Sequence, residues 1–201
     1  MNRKRKGTRF ERKVKDFLVE QGFYATRAAG SHGVYDILAV KLFSGRSVVL
    51  GVQCKHDGRL PDSEREAVME CAEKHGIIPA LAYPTRVGRR ILIAMDLLGL
   101  DTCEKTALYA LTLVREMNLL RRVMPAVVGE KWLETLERLE MEGLAAQVGE
   151  TVYMLFTPQY VAGADMEKVD EVTGRLLKTD ETPTGCPSCR QTCQTCRTCR
   201  V

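Results

Sequence analysis

Alternating apolar stretches and polar loops divide the first hundred residues into short elements. Between Thr8 and Glu20 apolar residues recur at helical spacing, and Gly22 follows as a stop signal. Runs of β-branched and aliphatic residues predict strands over residues 23–27, 35–40, 48–55, 77–83 and 90–94. A second helix is predicted over residues 63–75, with Ser63 as its N-cap. This order predicts an α/β domain in which helices flank a mixed, restriction-endonuclease-like sheet.

The pattern changes after Gly99 and becomes mainly helical. Helices are predicted over residues 104–117, 123–128, about 130–142 and 165–178, and a hairpin over residues 144–148 and 152–156. Three helices followed by a hairpin resemble a winged-helix domain. We therefore predict an α/β domain over residues 1–98, a winged-helix-like domain over 102–161, a helix and linker over 162–185, and a tail over 186–201.

The third helix of this middle region is acidic. It contains Glu130, Glu134, Glu137, Glu140 and Glu142 against Lys131 and Arg138. Winged helices often place their third helix in a DNA major groove, where phosphates would repel this charge. A dimerisation or protein-contact role is at least as well supported by the sequence.

Composition limits the class of protein. The 201 residues are 45% hydrophobic, enough for one substantial core or two small ones. No apolar run approaches the roughly 20 residues that span a bilayer, so we expect no membrane segment. The basic N-terminus leads into an amphipathic helix and does not resemble a secretory signal, so we expect a cytoplasmic protein.

Charge is unevenly distributed along the chain. The formal net charge is +4, but residues 1–30 contain nine Lys or Arg against three acids. The last sixteen residues contain three Arg and no acid. Basic ends favour a phosphate-rich partner, although a solvated terminus would have the same composition.

Five of the eight cysteines cluster at the C-terminus, in CPSCRQTCQTCRTC, at Cys186, Cys189, Cys193, Cys196 and Cys199. Without a secretory signal, metal ligation is favoured over disulfides. Four thiolates suit tetrahedral Zn²⁺, whereas the C-x₂-C-x₂-C spacing is also found in iron–sulfur sites. We rank zinc first, a cluster second, and a metal-free flexible tail close behind.

One predicted strand ends in polar residues. In SVVLGVQCKHD, Gln53 and Lys55 point to one face and Cys54 to the other, because strand side chains alternate. Two polar groups at the end of an apolar strand cost desolvation energy unless something uses them. Asp36, at the start of the apolar run DILAV, and Glu11 on the first helix could complete a set of oxygen ligands for a hard divalent cation.

The region from residue 6 to residue 55 resembles the archaeal-type Holliday junction resolvases of the PD-(D/E)xK nuclease superfamily. The matching pieces occur in the family's order: a K-G-x-x-x-E start, an R-x-A-G-S loop, a D-I-L-A strand, and an acid-or-Gln-x-Lys strand end. The resemblance implies a metal-dependent endonuclease that resolves four-way DNA junctions. It also implies Mg²⁺ or Mn²⁺ as cofactor, branched DNA as partner, and a homodimer that makes two symmetric nicks.

The resemblance also implies roles for single residues. Glu11, Asp36, Gln53 and the Cys54 backbone carbonyl would hold the metal, and Lys55 would position or activate the attacking water. Ser31 and Arg27 would contact the scissile phosphate. The basic residues that would follow the DNA backbone are Lys4, Arg5, Lys6 and Arg9.

The chain departs from the family pattern at two points. Gln53 replaces the second carboxylate, which lowers the negative charge of the site, and Tyr35 stands where the superfamily has Pro. Two alternatives therefore stay open. One is a repair or restriction-type nuclease with the same site, and the other is a non-catalytic DNA-binding or regulatory protein on a nuclease fold.

Overall fold

The computed structural model describes residues 3–28 and 33–180, and the side chains of residues 6–176 within those ranges. Ser31, the five clustered cysteines and the side chains of Lys4 and Arg5 lie outside the described residues, so their predicted roles stay predictions. Among the helices described, none is long and apolar enough to cross a membrane.

The elements follow the predicted order closely. The first half contains α1 (Arg3–Glu20), β1 (Tyr24–Arg27), β2 (Ile37–Phe43), β3 (Arg46–Cys54), α2 (Asp62–His75), β4 (Ile77–Val87) and β5 (Arg90–Leu97). The second half contains α3 (Thr102–Leu113), α4 (Met117–Val128), α5 (Trp132–Met141), β6 (Ala145–Val148), β7 (Thr151–Met154), β8 (Tyr160–Val161) and α6 (Met166–Asp180).

The central sheet is mixed, which confirms the predicted fold class. Within residues 3–28 and 33–180, six strands form this sheet in the order β1-β2-β3-β4-β5-β8. The β3–β4 and β5–β8 pairs are parallel, and the other neighbours are antiparallel. The sequence did not predict β8, because two residues are too short to show an alternating pattern.

Helices cover the two faces of this sheet unequally. The apolar stripe of α1 packs into a buried cluster with inward-facing residues of β2 and β3; its members include Val14, Phe17, Leu18, Ile37, Ala39 and Leu50. On the opposite face Val68 of α2 packs with Tyr35 and Leu81. These two layers hold the ends of β2 and β3 rigidly between α1 and α2.

Several predicted helix boundaries were wrong, and α4 begins at Met117 and not near residue 123. Asp62 begins α2 after Pro61, without a side-chain cap, so Ser63 is not its N-cap. The predicted helix over residues 104–117 ends at Leu113 because the next residues are extended: Arg115 O accepts from Val152 N at 2.8 Å, and Glu150 O accepts from Met117 N at 2.9 Å.

The later part of the chain packs directly on the first part. Helices α3 to α5 are followed by the antiparallel pair β6–β7, which is the predicted element order. A buried hydrophobic cluster extends from Phe10 of α1 to Val169 of α6. Gln159 Oε1 accepts a hydrogen bond from Ile93 N at 2.9 Å, next to the pairing of β8 with β5. The division at residues 98–102 and the winged-helix resemblance stay predictions.

Candidate active site

Strand pairing brings Asp36 to the end of β3. The β2–β3 ladder ends at the pair of Ile37 with Val52, so Asp36 directly precedes this last pair and Gln53 directly follows it. Asp36 N donates to Val52 O at 3.0 Å, and Asp36 Oδ2 accepts from Cys54 N at 2.7 Å. These two bonds hold the carboxylate at the end of β3.

The Asp36 carboxyl lies in an environment that disfavours its charge. Burial is the largest cause that raises the pKa of Asp36. The hydrogen bond from Cys54 N opposes this rise, and the negative charges of Glu11 and Glu64 add to it. A half-buried carboxylate that is costly to ionise without a cation is typical of a functional site.

Gln53 presents an unused acceptor at the same place. Its Oε1 atom is buried and has no hydrogen-bond partner among the described residues. An orphaned buried carbonyl oxygen costs about 1–3 kcal/mol, so its presence needs an explanation. Cys54, which alternates to the opposite side, has a thiol pKa that burial raises, so the thiol remains protonated near neutral pH.

Lys55 continues the strand beyond β3. Its backbone N–H donates to Ala82 O at 2.9 Å, which extends the parallel pairing with β4. Its Nζ atom lies 2.5 Å from Glu64 Oε2, on the first turn of α2. Sequence analysis did not single out Glu64, because an acid in the first turn of a helix is common and is ordinarily explained by the helix dipole.

Glu11 faces the site from α1 and is paired with Arg27 of β1. Arg27 donates to Glu11 Oε2 through Nε at 3.0 Å and through Nη2 at 2.6 Å. Arg27, which was predicted to contact the scissile phosphate, is therefore bonded in this structure to Glu11, which was predicted to bind the metal. Both of these hydrogen bonds end on Oε2, so Oε1 takes no part in them.

Tyr35 supports the loop that leads into Asp36. Its ring is buried, and its hydroxyl donates to Val68 O of α2 at 2.9 Å. A Cβ atom on Gly51 would lie 2.7 Å from the Tyr35 ring, so only glycine fits there without a shift. The Tyr35 found in place of Pro thus anchors the residue before Asp36 to both β3 and α2.

The buried Gln53 oxygen, which has no hydrogen-bond partner among the described residues, fits a ligand of a divalent cation. Within the described residues, no group of three His, Cys, Asp or Glu side chains could hold a metal ion. The donor set expected here is instead two carboxylates, from Glu11 and Asp36, together with the Gln53 amide oxygen. Hard cations such as Mg²⁺ bind carboxylate and amide oxygens.

A basic groove adjoins these residues. It has a volume of about 390 Å³ and runs between α1 and the β4–β5 hairpin. Phe10 and His56, which directly neighbour Glu11 and Lys55 in sequence, lie in its wall with ring centroids 6.0 Å apart. The other lining residues are Lys6, Arg9, Lys13, Pro84, Ile91, Leu92 and Ile93.

Comparison with known proteins identifies the first half of the chain. The family model described as archaeal Holliday junction resolvase (Hjc) matches residues 2–98, a little under half of the chain. Among solved structures, the chain is similar to Hjc of Archaeoglobus fulgidus, described as a Holliday junction resolvase from an archaeal hyperthermophile. The identity is 28%, the TM-score is 0.36, and the match covers 47% of this chain and 74% of that chain. No curated protein matches at a significant level. Residues 2–98 of this chain therefore match the archaeal Holliday junction resolvase family, in agreement with the resemblance of their sequence motifs.

Proposed function

We propose that this protein is a metal-dependent endonuclease that cuts four-way DNA junctions by hydrolysing phosphodiester bonds. Family membership of residues 2–98 supports nuclease activity on junctions. The observation that supports metal dependence most directly is the buried Gln53 Oε1, which has no hydrogen-bond partner among the described residues and belongs to the residue after the last β2–β3 pair.

Each residue of the proposed site has a separate role in the hydrolysis. Glu11, Asp36 and Gln53 would hold the cation, with the Cys54 carbonyl as a further ligand. A cation held there would polarise the phosphoryl oxygen and offset the charge that develops on the departing 3′ oxygen. Lys55 Nζ donates a hydrogen bond to the attacking water and orients it in line with the scissile bond. Arg27 contributes a guanidinium that can bind a phosphate oxygen when it leaves Glu11.

The basic groove supplies a path for the DNA strand beyond the site. Lys6, Arg9 and Lys13 form a cationic wall on α1, and Phe10 and Ile91 offer apolar surface. Phosphates suit the cations, and sugars or bases suit the apolar residues. Because Phe10 and His56 directly neighbour Glu11 and Lys55, a strand in this groove would pass next to the proposed ligands.

We further propose that the active form is a homodimer. Resolution of a four-way junction requires two symmetric nicks, and each chain has one proposed site. Light scattering of the purified protein, alone and with junction DNA, measures the number of chains. One chain per junction at saturation would contradict this part of the proposal.

The test of the proposed function uses a labelled four-way junction and a matched linear duplex. Each is incubated with the protein in Mg²⁺, in Mn²⁺ and in EDTA. We expect paired nicks in the junction alone, with no product in EDTA. The variants Asp36→Asn and Lys55→Ala should bind the junction but not cut it.

Two other results would assign a different function. Cutting of both substrates would indicate a repair or restriction-type nuclease. Junction binding without cutting in either metal would indicate a non-catalytic DNA-binding protein, in which Gln53 marks a lost activity. For the cysteine tail, elemental analysis of the purified protein for zinc and iron distinguishes the three alternatives given above.

A further inference from the structure

The backbone contacts of Lys55 do not fix the position of its side-chain ammonium. The hydrogen bond from Lys55 N to Ala82 O fixes the main chain at the end of β3. The ammonium lies beyond a flexible four-carbon stem, so a fixed backbone leaves its position undetermined. A group whose task is to orient a water needs its own atom held within a fraction of an ångström.

Glu64 supplies that constraint. Its Oε2 atom lies 2.5 Å from Lys55 Nζ, and the two side chains are 44% and 25% exposed. Glu64 is on α2, which is itself anchored: Val68 is 1% exposed and its carbonyl accepts the Tyr35 hydroxyl. The carboxylate therefore projects from a rigid helix that is tied to the residue next to Asp36.

The charges around Lys55 explain why an acid from another element is needed to hold its ammonium. Gln53 is neutral, so the end of β3 itself provides no anion to hold the ammonium beside it. Glu64 is close enough to Asp36 for their negative charges to repel each other. The third carboxylate of the region thus comes from α2 and not from the strand.

We propose that Glu64 is a positioning residue that holds the Lys55 ammonium in place for catalysis. This inference rests on the proposed function. Two other roles predict different results. An ordinary surface ion pair stabilises the fold only slightly and has no effect on cleavage. A blocking contact that Lys55 must break before reaction would make cleavage faster when Glu64 loses its charge.

The experiment measures single-turnover cleavage of the junction at saturating protein and Mg²⁺. Glu64→Gln is compared with Glu66→Gln, which removes the same charge from an exposed position on the same helix. We expect Glu64→Gln to lower the saturating rate by about ten-fold or more, and Glu66→Gln to leave it unchanged. Glu64→Asp, which keeps the charge on a shorter side chain, should recover part of the loss.

A double-mutant cycle and a binding measurement separate positioning from structural damage. Once Lys55→Ala removes the ammonium, Glu64→Gln should cause no further loss of rate, because the two residues act as one unit. Junction affinity in EDTA and the melting temperature should stay close to those of the wild type. Both readouts are independent of catalysis.

Three outcomes overturn the inference. In these outcomes Glu64→Gln cuts at the rate of Glu66→Gln, cuts faster than the wild type, or lowers the rate as much in the Lys55→Ala background as in the wild type. In each case the wild type still cuts, so the proposed function stands. A wild type that cuts no junction in either metal overturns the proposed function, and this inference falls with it.

Discussion

Gln53 places a neutral amide where the family pattern allows an acid. Its buried oxygen has no hydrogen-bond partner among the described residues, and Gln53 directly follows the last β2–β3 pair, Ile37 with Val52. The amide retains a ligand oxygen but removes one negative charge, so metal affinity should be lower than with a carboxylate. This single residue is therefore where metal dependence can be tested most directly.

The variant Gln53→Glu should cut at lower metal concentrations. An added negative charge next to the cation strengthens its binding, and we expect the Mg²⁺ concentration at half-maximal rate to fall roughly ten-fold. Titration of the single-turnover rate with Mg²⁺ measures this. Asn118→Asp, which makes the same charge change at an exposed position on α4, serves as the control. An unchanged metal requirement would show that Gln53 is not a ligand.

Asp36 should lower the stability of the metal-free fold, and this effect should depend on pH. Its folded-state pKa is raised above the ordinary value of 3.8, mainly by burial. Between pH 3.8 and the raised pKa, the Asp36 carboxyl is ionised in the unfolded chain and protonated in the native protein. The metal-free native state therefore loses stability as pH rises from about 4 through the raised pKa.

Asp36→Asn removes this loss because an amide does not ionise. The variant should melt at a higher temperature than the wild type at neutral pH in EDTA. The difference should shrink below pH 4, where both side chains are neutral. Thermal melts of the two proteins at several pH values measure it. A variant that is less stable at neutral pH would mean that the charge of Asp36 stabilises the fold.

At the scale of elements, Lys41 of β2 joins parts that are distant in sequence. Its Nζ atom donates to Gln21 O after α1 at 2.8 Å and to Leu155 O after β7 at 2.6 Å. It also lies 5.3 Å from the centroid of the Phe23 ring. Lys41 therefore ties the later helical part of the chain to the sheet, a role that the sequence analysis did not predict.

Lys41→Ala should lower the free energy of unfolding by roughly 1.5–3 kcal/mol, since hydrogen bonds from a charged group are lost and their acceptors are left unpaired. Chemical denaturation measures the change. Lys74→Ala, at an exposed position on α2, is the matched control and should change stability little. Equal midpoints for Lys41→Ala and the wild type would show that water replaces these bonds without cost.

At the scale of the whole molecule, the central sheet includes a strand from the later part of the chain. Strand β8 pairs with β5. In addition, Nζ of Lys105 in α3 lies 2.6 Å from Oδ1 of Asp96 in β5. The same buried cluster contains residues of α1, the sheet, and α3 to α6. The two predicted domains thus share packing that neither could retain alone.

We expect the chain to unfold in one cooperative transition, because buried contacts cross the predicted boundary throughout. Differential scanning calorimetry tests this through the ratio of calorimetric to van't Hoff enthalpy, which should be close to one. Two resolved transitions would instead support independent domains over residues 1–98 and 102–161. Lys41→Ala should then separate them further.

Local patterns in the sequence determined the helices, the strands and the shared face of Gln53 and Lys55. These properties depend on backbone periods of 3.6 and two, which residues close in sequence reveal. The resemblance to the resolvases likewise proposed Asp36 and Glu11 as ligands from sequence motifs alone. Each of these inferences needed only a short stretch of chain.

Tertiary structure alone decided which side chains meet. Arg27 pairs with Glu11, Glu64 with Lys55, and β8 with β5, across 16, 9 and about 65 residues of sequence. Loop closure over such distances leaves no periodic signal, and any of several acids could have reached Lys55. The packing of α2 against Tyr35 selected Glu64, and that selection is a property of the folded molecule.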